Sequence, residues 1–166
     1  IDVKISKDLV PILLHDETLE RTTNGKGLPI DFNYSDLKKL DAGFSFYNNF
    51  SKICIPTLKE ILVFCKKNKI GVNIELKPNL GFEKKNVEAI AKLLNNFNFN
   101  QYYFSSFDWP SLVLMKKILP NAYYGILIDK FDENISIENA IDFCRKYKFS
   151  CCGFNKNIIN SDIMNE

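Results

Sequence analysis

Ile70-Gly-Val-Asn-Ile-Glu-Leu-Lys-Pro78 is the stretch that decides the fold of this 166-residue chain. Apolar and polar side chains alternate along it, which predicts a strand over 70–76. A strand has a side-chain period of two, so the apolar residues share one face and Asn73, Glu75 and Lys77 share the other. The apolar face can pack under helices. The polar face then points into a barrel, where a charged side chain must either form an ion pair or take part in binding or catalysis.

Strands and helices alternate strictly on the C-terminal side of this stretch. The spacing of apolar residues predicts helices over 83–97, 109–119 and 137–147, and strands over 102–106, 122–128 and 151–154. Such alternation implies a parallel sheet with right-handed crossovers.

Two more strands lie on the N-terminal side, over 2–6 and 10–14, and the turn Lys7-Asp8-Leu9 separates them. Ser35 is expected to cap a short helix over 36–40, and Thr57 with Glu60 forms a capping box for a helix that begins at 58. The total of six strands falls short of the eight in a (β/α)₈ barrel, which typically has about 250 residues. We see no repeat and no linker, and we expect one domain over residues 1–166.

Composition excludes several classes of function. The formal net charge of +2 is small and the lysines are dispersed, which argues against a nucleic-acid partner. No apolar run approaches the roughly 18 residues of a membrane span. No signal peptide is visible, which favours a cytoplasmic location. The five cysteines, which include no C-x-x-C pair, are expected to be reduced and mostly buried.

The only histidine, His15, ends the short apolar run that begins at Pro11. A titratable residue at the carboxyl end of a strand lies where ligands bind in parallel sheets and barrels. Taken singly, His15 can be a structural hydrogen-bonded histidine, Asp2 a surface aspartate, and Glu75 with Lys77 a simple ion pair. We expect Asp16 to point away from His15 and to order the following loop.

Taken together, these residues predict a site for a hard cation beside a proton-transfer group. Carboxylate oxygens of Asp2 and Glu75 suit Mg²⁺ or Ca²⁺. A phosphate bound to that cation would have its charge screened by the metal and by Lys77.

The sequence resembles the glycerophosphodiester phosphodiesterase family. The matching pieces occur in the family's order over residues 1 to about 154: Asp2-Val-x-x-Ser-Lys-Asp, Pro11-Ile-Leu-Leu-His15-Asp16-x-x-Leu-x-Arg21-Thr-Thr-Asn-Gly-x-Gly27, Leu40-Asp41-Ala42-Gly43, Ile55-Pro56-Thr57-Leu58-x-Glu60, Asn73-Ile-Glu75-Leu-Lys77 and Ser105-Ser106-Phe107-Asp108. The histidine block and the run with Glu75 and Lys77 are the most specific of these.

The resemblance implies a TIM barrel that hydrolyses glycerophosphodiesters to glycerol 3-phosphate and an alcohol with a divalent cation. It implies that His15 is one of two acid–base histidines, that Asp2 and Glu75 are metal ligands, and that Lys77 helps to hold the phosphate. The direction of proton transfer by His15 stays open, as do the attacking group, the alcohol, the choice between Mg²⁺ and Ca²⁺, and the oligomeric state.

Two features of the family's pattern would fall before Ile1: a His-Arg-Gly strand and the glutamate of a Glu-x-Asp pair. The family's last strand would follow Glu166. We therefore expect an incomplete, open barrel that contains about strands two to seven. Loss of one acid–base group typically lowers a rate by about 10²- to 10⁴-fold. We expect the 166 residues alone to be nearly inactive.

Two other functions stay open. One is a non-catalytic relative of the same fold that binds phosphate. The other is a phospholipase D-type enzyme that acts on lysolipids, since the aromatic run from Phe44 to Phe50 would suit an acyl chain. We expect those aromatic side chains instead to pack over helices outside the barrel.

Overall fold

The computed structural model describes residues 1–47, 51–132 and 135–158. The strands in these ranges are β1 (Asp2–Ile5), β2 (Pro11–Leu13), β3 (Val72–Leu76), β4 (Tyr102–Ser106), β5 (Tyr123–Ile128) and β6 (Cys151–Phe154). The helices are α1 (Tyr34–Leu37), α2 (Phe44–Tyr47), α3 (Leu58–Asn68), α4 (Glu83–Asn95), α5 (Trp109–Ile118) and α6 (Ile137–Tyr147), with 3₁₀ turns at Pro29–Asp31 and Lys156–Ile158. Most of the predicted bounds agree to within two residues.

The strands form one sheet in the order β2-β1-β3-β4-β5-β6. The four pairs β1–β3, β3–β4, β4–β5 and β5–β6 are parallel. Helices α3 to α6 contribute to a single core with the sheet's apolar face. The predicted α/β class is confirmed, and the unclosed parallel sheet is that of an incomplete (β/α)₈ barrel.

Strand β2 differs from the prediction, because it pairs with β1 in the antiparallel sense, with Val3 opposite Leu13. A parallel connection needs a crossover of a dozen or more residues, whereas only five residues separate β1 from β2. The count of six successive barrel strands, two to seven, was therefore wrong by one. Five strands are parallel, and β2 forms a hairpin at the edge of the sheet.

The main core lies between the sheet and its helices. Ile74, Phe104 and Tyr124 project from adjacent strands, and all three are fully buried. The helical stripe predicted for α4 is buried against them: Val87, Ile90, Ala91 and Leu94. Full burial of an aliphatic or aromatic side chain stabilises a fold by about 1.5–3 kcal/mol, so these side chains fix the sheet that carries the site.

A second, smaller core lies under the connection from β2 to α3. Its buried residues are Ile12, Leu14, Leu19, Leu37 and Ile55. The connection that follows His15 is therefore packed against the hairpin. Leu14 before the histidine and Leu19 after it are both buried in this core, which fixes the backbone on each side of His15.

The helix starts show one confirmed cap and one shifted helix. Thr57 accepts a hydrogen bond from the Glu60 amide at 3.2 Å, and the Glu60 carboxylate accepts one from the Thr57 amide at 2.8 Å, which is the predicted capping box. Helix α1 begins at Tyr34 rather than at 36, so Ser35 is not its cap. The Asp8 carboxylate accepts a hydrogen bond from the Tyr34 amide at 2.8 Å, which ties the helix start to the hairpin turn.

The aromatic run that begins at Phe44 was expected to pack over helices, but its three described aromatic side chains are exposed. Phe44 is 37% exposed, Phe46 82% and Tyr47 57%, all on α2. The rest of the run, residues 48–50, lies outside the described residues.

The cysteines are free thiols, as predicted, but they are not mostly buried. Only Cys65 is buried, whereas Cys54 and Cys151 are exposed and the other two are half-buried. Within the described ranges, no helix is both long and apolar enough to cross a membrane.

Candidate active site

Two carboxylates face each other where β1 begins and β3 ends. The register of the parallel pair sets Asp2 opposite Glu75 and Val3 opposite Leu76. The Lys77 amide continues the pairing by donating to the Val3 carbonyl at 3.1 Å. Because β1 starts level with the end of β3, its first side chain lies at the carboxyl edge of the sheet.

Lys77 lies between these two carboxylates. Its Nζ is 3.4 Å from Oε1 of Glu75 and 3.7 Å from Oδ1 of Asp2. The three side chains are 16–30% exposed, so they are shielded but still reached by solvent. The structure therefore brings together three of the four predicted site residues.

Glu75 has an unusual environment for a carboxylate. Burial raises the pKa of Glu75 above its ordinary value against the opposing effect of the Lys77 ammonium, and the Asp2 carboxylate adds to the increase. Oε1 of Glu75 is inaccessible to solvent and has no hydrogen-bonding partner in the described part of the chain. The Lys77 ammonium at 3.4 Å compensates the charge of this oxygen without a close hydrogen bond, so the oxygen can still accept a further cation or donor.

His15 reaches the same region through the hairpin. Beyond β2, the Leu14 amide donates to the Asp2 carbonyl at 3.1 Å, which sets the following residue beside the start of β1. His15 lines a cleft of about 300 Å³ with Asp2 and a second cleft of about 430 Å³ with Lys77. The prediction relied on the carboxyl end of a parallel strand, whereas it is the return of an antiparallel strand that brings His15 to Asp2.

Asp16 holds the histidine ring, contrary to the expectation that it points away. Nδ1 of His15 is 2.8 Å from Oδ1 of Asp16, and Arg21 binds the same carboxylate through Nε and through Nη2 at 2.8 Å. The hydrogen bonds from Arg21 and His15 hold the pKa of Asp16 well below its usual range. An ionised Asp16 can only accept, so Nδ1 carries the proton and Nε2 is the nitrogen left for proton exchange.

The threonine–asparagine–glycine block after Arg21 builds the loop below the histidine. Thr23 Oγ1 donates to the Leu19 carbonyl at 2.7 Å and accepts from the Gly25 amide at 2.9 Å. A Cβ at Gly25 would lie 2.5 Å from Cδ1 of Leu40, so a larger residue there would require the Leu40 side chain to move. These contacts agree with a structural role for the block.

The Asp41 carboxylate holds the chain at Gly43 close to the chain at Ser51 and Lys52. Its carboxylate accepts hydrogen bonds from the Gly43 and Lys52 amides, each at 2.9 Å, and from the amide and hydroxyl of Ser51. Although burial opposes it, this set of donors lowers the pKa of Asp41 to about 2.

Lys4 also lies at this site, although it was not among the site residues predicted from the sequence. It is only 4% exposed, it lines the 430 Å³ cleft with His15 and Lys77, and its Nζ donates to the Lys77 carbonyl at 3.3 Å. Burial and the neighbouring Lys77 ammonium lower the pKa of Lys4, against the acidic groups nearby. The strand period that placed Lys4 on the face of Asp2 was the available signal.

The residues present fit a divalent cation in part. Asp2 and Glu75 supply two adjacent carboxylates, and Oε1 of Glu75 has an ion pair with Lys77 but no hydrogen-bond donor within the described residues. The described ranges contain no cluster of three or more His, Cys, Asp or Glu side chains arranged as a metal site. Two carboxylates with substrate oxygens and water are a common ligand set for Mg²⁺.

A larger cavity of about 680 Å³ lies elsewhere, between the hairpin turn at Asp8–Pro11 and the outer surface of α4. Its charged residues, among them Lys59, Lys85 and Glu88, belong to solvent-facing helix surfaces. The convergence of His15 with the carboxylates and lysines, rather than cavity size, therefore locates the site.

Comparisons with known proteins point to one family. The sequence model of the Glycerophosphoryl diester phosphodiesterase family matches residues 1–158. A glycerophosphodiester phosphodiesterase of Caldanaerobacter subterraneus subsp. tengcongensis is 38% identical over 128 residues, which cover 76% of this chain and 53% of that protein. The chain spans about half the length of the curated bacterial relatives that it matches first.

Solved structures agree with the sequence comparisons. A phosphodiesterase of Oleispira antarctica, solved in complex with the product sn-glycerol-3-phosphate, superposes with a TM-score of 0.87 at 29% identity, over 99% of this chain and 67% of that one. A glycerophosphodiester phosphodiesterase of Thermotoga maritima gives a TM-score of 0.67 at 26% identity, over 92% of this chain and 58% of that one.

Proposed function

The chain belongs to the glycerophosphoryl diester phosphodiesterase family, and we propose that the protein containing it hydrolyses glycerophosphodiesters to glycerol 3-phosphate and an alcohol. The observation that carries the proposal is that Lys77 lies within 4 Å of both Asp2 and Glu75, beside the clefts lined by His15. The product complex of the Oleispira relative supports glycerol 3-phosphate as the product.

We assign Asp2 and Glu75 as ligands of Mg²⁺ or Ca²⁺. Their adjacency on neighbouring strands supports this assignment, as does Oε1 of Glu75, which has an ion pair with Lys77 but no hydrogen-bond donor within the described residues. When bound, such a cation screens the charge of the phosphoryl group and polarises it.

Lys77 and His15 have separate tasks in the reaction. Lys77 neutralises a phosphoryl oxygen from its place between the carboxylates. In the net reaction the attacking oxygen forms a P–O bond and gives up a proton, the P–O bond to the alcohol breaks, and the alcohol oxygen takes up a proton. Nε2 of His15 is the nitrogen placed to exchange that proton, because Asp16 occupies Nδ1.

The test is release of glycerol 3-phosphate from glycerophosphocholine by the complete protein with Mg²⁺ or Ca²⁺. We expect turnover that stops when a chelator is added. His15→Asn is expected to lower kcat by about 10²- to 10⁴-fold, the usual contribution of an acid–base group. Glu75→Gln is expected to raise the metal concentration needed for half-maximal rate.

The matched control is Glu88→Gln, which removes an equal charge from the exposed surface of α4 and should leave the rate unchanged. Glycerol 3-phosphate that binds without any turnover would instead support the non-catalytic relative. The near-inactivity of the 166 residues alone and a cytoplasmic location stay predictions from the sequence.

One observation favours lysolipids as a second substrate class. The exposed rings of Phe46 and Tyr47 stand edge-to-face at 4.9 Å on α2, where a contact with an acyl chain or membrane surface would bury them. A higher kcat/KM for lysophosphatidylcholine than for glycerophosphocholine, lost in Phe46→Ser, would establish this class. Equal loss on both substrates would show that Phe46 is needed only for folding.

A further inference from the structure

The backbone positions of Lys4 and Lys77 come next along the two strands after those of the two carboxylates. The register that sets Asp2 opposite Glu75 and Val3 opposite Leu76 sets Lys4 opposite Lys77 when it is continued by one residue. The step along a strand from Asp2 to Lys4 is about 6.6 Å towards the mouth of the sheet. Lys77 reaches back to the two carboxylates, whereas Lys4 is the lysine of this pair that has no carboxylate within ion-pair distance in the described residues.

The two ammonium groups are compensated very differently. Lys77 has both carboxylates within 4 Å. Lys4 forms no ion pair with the described residues, and its one hydrogen bond goes to the Lys77 carbonyl. An ammonium group has three donors, so two donors of this buried group are left without a protein acceptor.

A buried cation without a counter-charge is unfavourable unless something else compensates it. The side chain is 4% exposed and lines the cleft of about 430 Å³ that His15 and Lys77 also line. The acidic residues of this cleft, Glu17, Glu83 and Asp108, form no ion pair with Lys4. The carboxylates of Glu17, Asp16 and Asp2 attract its ammonium only from a longer distance. An anion that enters the cleft would therefore meet Lys4 as the least compensated positive charge.

We propose that Lys4 is a substrate-binding residue which donates to a phosphoryl oxygen of the glycerophosphodiester, next to Lys77. This inference rests on the proposed function for the identity of the anion. Lys77 has ion pairs with Asp2 and Glu75, so Lys4 is the lysine of the cleft whose charge no ion pair compensates within the described residues. The same contact is stronger with glycerol 3-phosphate, because the product carries a second negative charge.

The test compares Lys4→Met, Lys4→Arg and Lys117→Met in the complete protein. Met keeps the aliphatic stem that fills the cleft wall and removes the charge. A charge-assisted hydrogen bond typically corresponds to a factor of roughly 10 to 100 in affinity. We expect Lys4→Met to raise KM for glycerophosphocholine and the inhibition constant of glycerol 3-phosphate by that factor, with a smaller change in kcat. Lys4→Arg should restore most of both.

Lys117→Met removes an equal charge from the exposed end of α5 and should change neither constant. Neutral glycerol, as a competing ligand, should bind Lys4→Met and the parent equally, which a merely structural role would not predict. If KM and the inhibition constant in Lys4→Met stay within twofold of the parent values, the inference is overturned. The proposed hydrolase activity would not be affected by that result.

Direct titration with glycerol 3-phosphate separates this inference from the proposed activity. If the complete protein binds the product but does not turn over the diester, a loss of affinity in Lys4→Met still supports the inference, and an unchanged affinity overturns it. If Lys4→Met does not fold, Lys4→Gln is titrated in the same way.

Discussion

At the residue scale, the site depends on which side chains share a face of two neighbouring strands. The period of two predicted that Asn73, Glu75 and Lys77 share one face, and the structure places Glu75 and Lys77 in one ion-pair cluster with Asp2. The orientation of His15 could not be predicted in this way, because it depends on the hydrogen bond to Asp16 and on the direction of β2. The period of two also places Lys4 on the same face of β1 as Asp2. Its burial could not be predicted, because burial follows from tertiary packing.

Asp41 gives a prediction for acid stability. Its pKa falls from an ordinary 3.8 to about 2 in the folded chain, so the folded state binds the proton more weakly than the unfolded state. The stabilisation is therefore present above about pH 4 and is lost as the pH falls through about 2. Urea unfolding at pH 5, 3 and 2 should show that Asp41→Asn is less stable than the parent at pH 5 and that the difference shrinks with acid.

The control for this prediction is Asp31→Asn, because Asp31 is exposed in a 3₁₀ turn. That variant should follow the parent across the whole pH series. A difference between Asp41→Asn and the parent that is constant from pH 5 to pH 2 would show that the carboxylate charge is not what stabilises the turn.

At the element scale, local patterns predicted most of the helices and strands. The stripe of α4 and the capping box of α3 are determined by residues three and four apart, which the sequence shows directly. The direction of β2 was missed because its apolar run was counted with the barrel strands, although the short turn before it permits only a hairpin. The exposed rings of α2 could not be predicted, because burial depends on which elements lie nearby.

The capping box of α3 gives a prediction at this scale. Thr57→Ala removes the oxygen that accepts the Glu60 amide hydrogen bond, and the expected loss in the free energy of unfolding is about 1 kcal/mol. Urea unfolding measures the loss, and Thr57→Ser, which keeps the hydroxyl, should stay close to the parent. A loss in Thr57→Ala no larger than in Thr57→Ser would mean that α3 is held by its packing alone.

At the scale of the whole molecule, the candidate site occupies one side of the sheet. Asp2, His15, Glu75 and Lys77 come from β1, from the chain after β2 and from the end of β3, while β4 to β6 extend the sheet beyond them. Alternation of strands and helices was enough to predict this architecture. The order β2-β1-β3 was not, because it depends on pairing between segments about 70 residues apart.

A crystal structure of the complete protein with glycerol 3-phosphate and Mg²⁺ or Ca²⁺ tests the central claim most directly. We predict a cation bound by the carboxylates of Asp2 and Glu75, a phosphate oxygen within hydrogen-bonding distance of Lys77 Nζ, and Nε2 of His15 facing the ligand. A phosphate bound elsewhere, or a cation held without Asp2 and Glu75, would contradict the account.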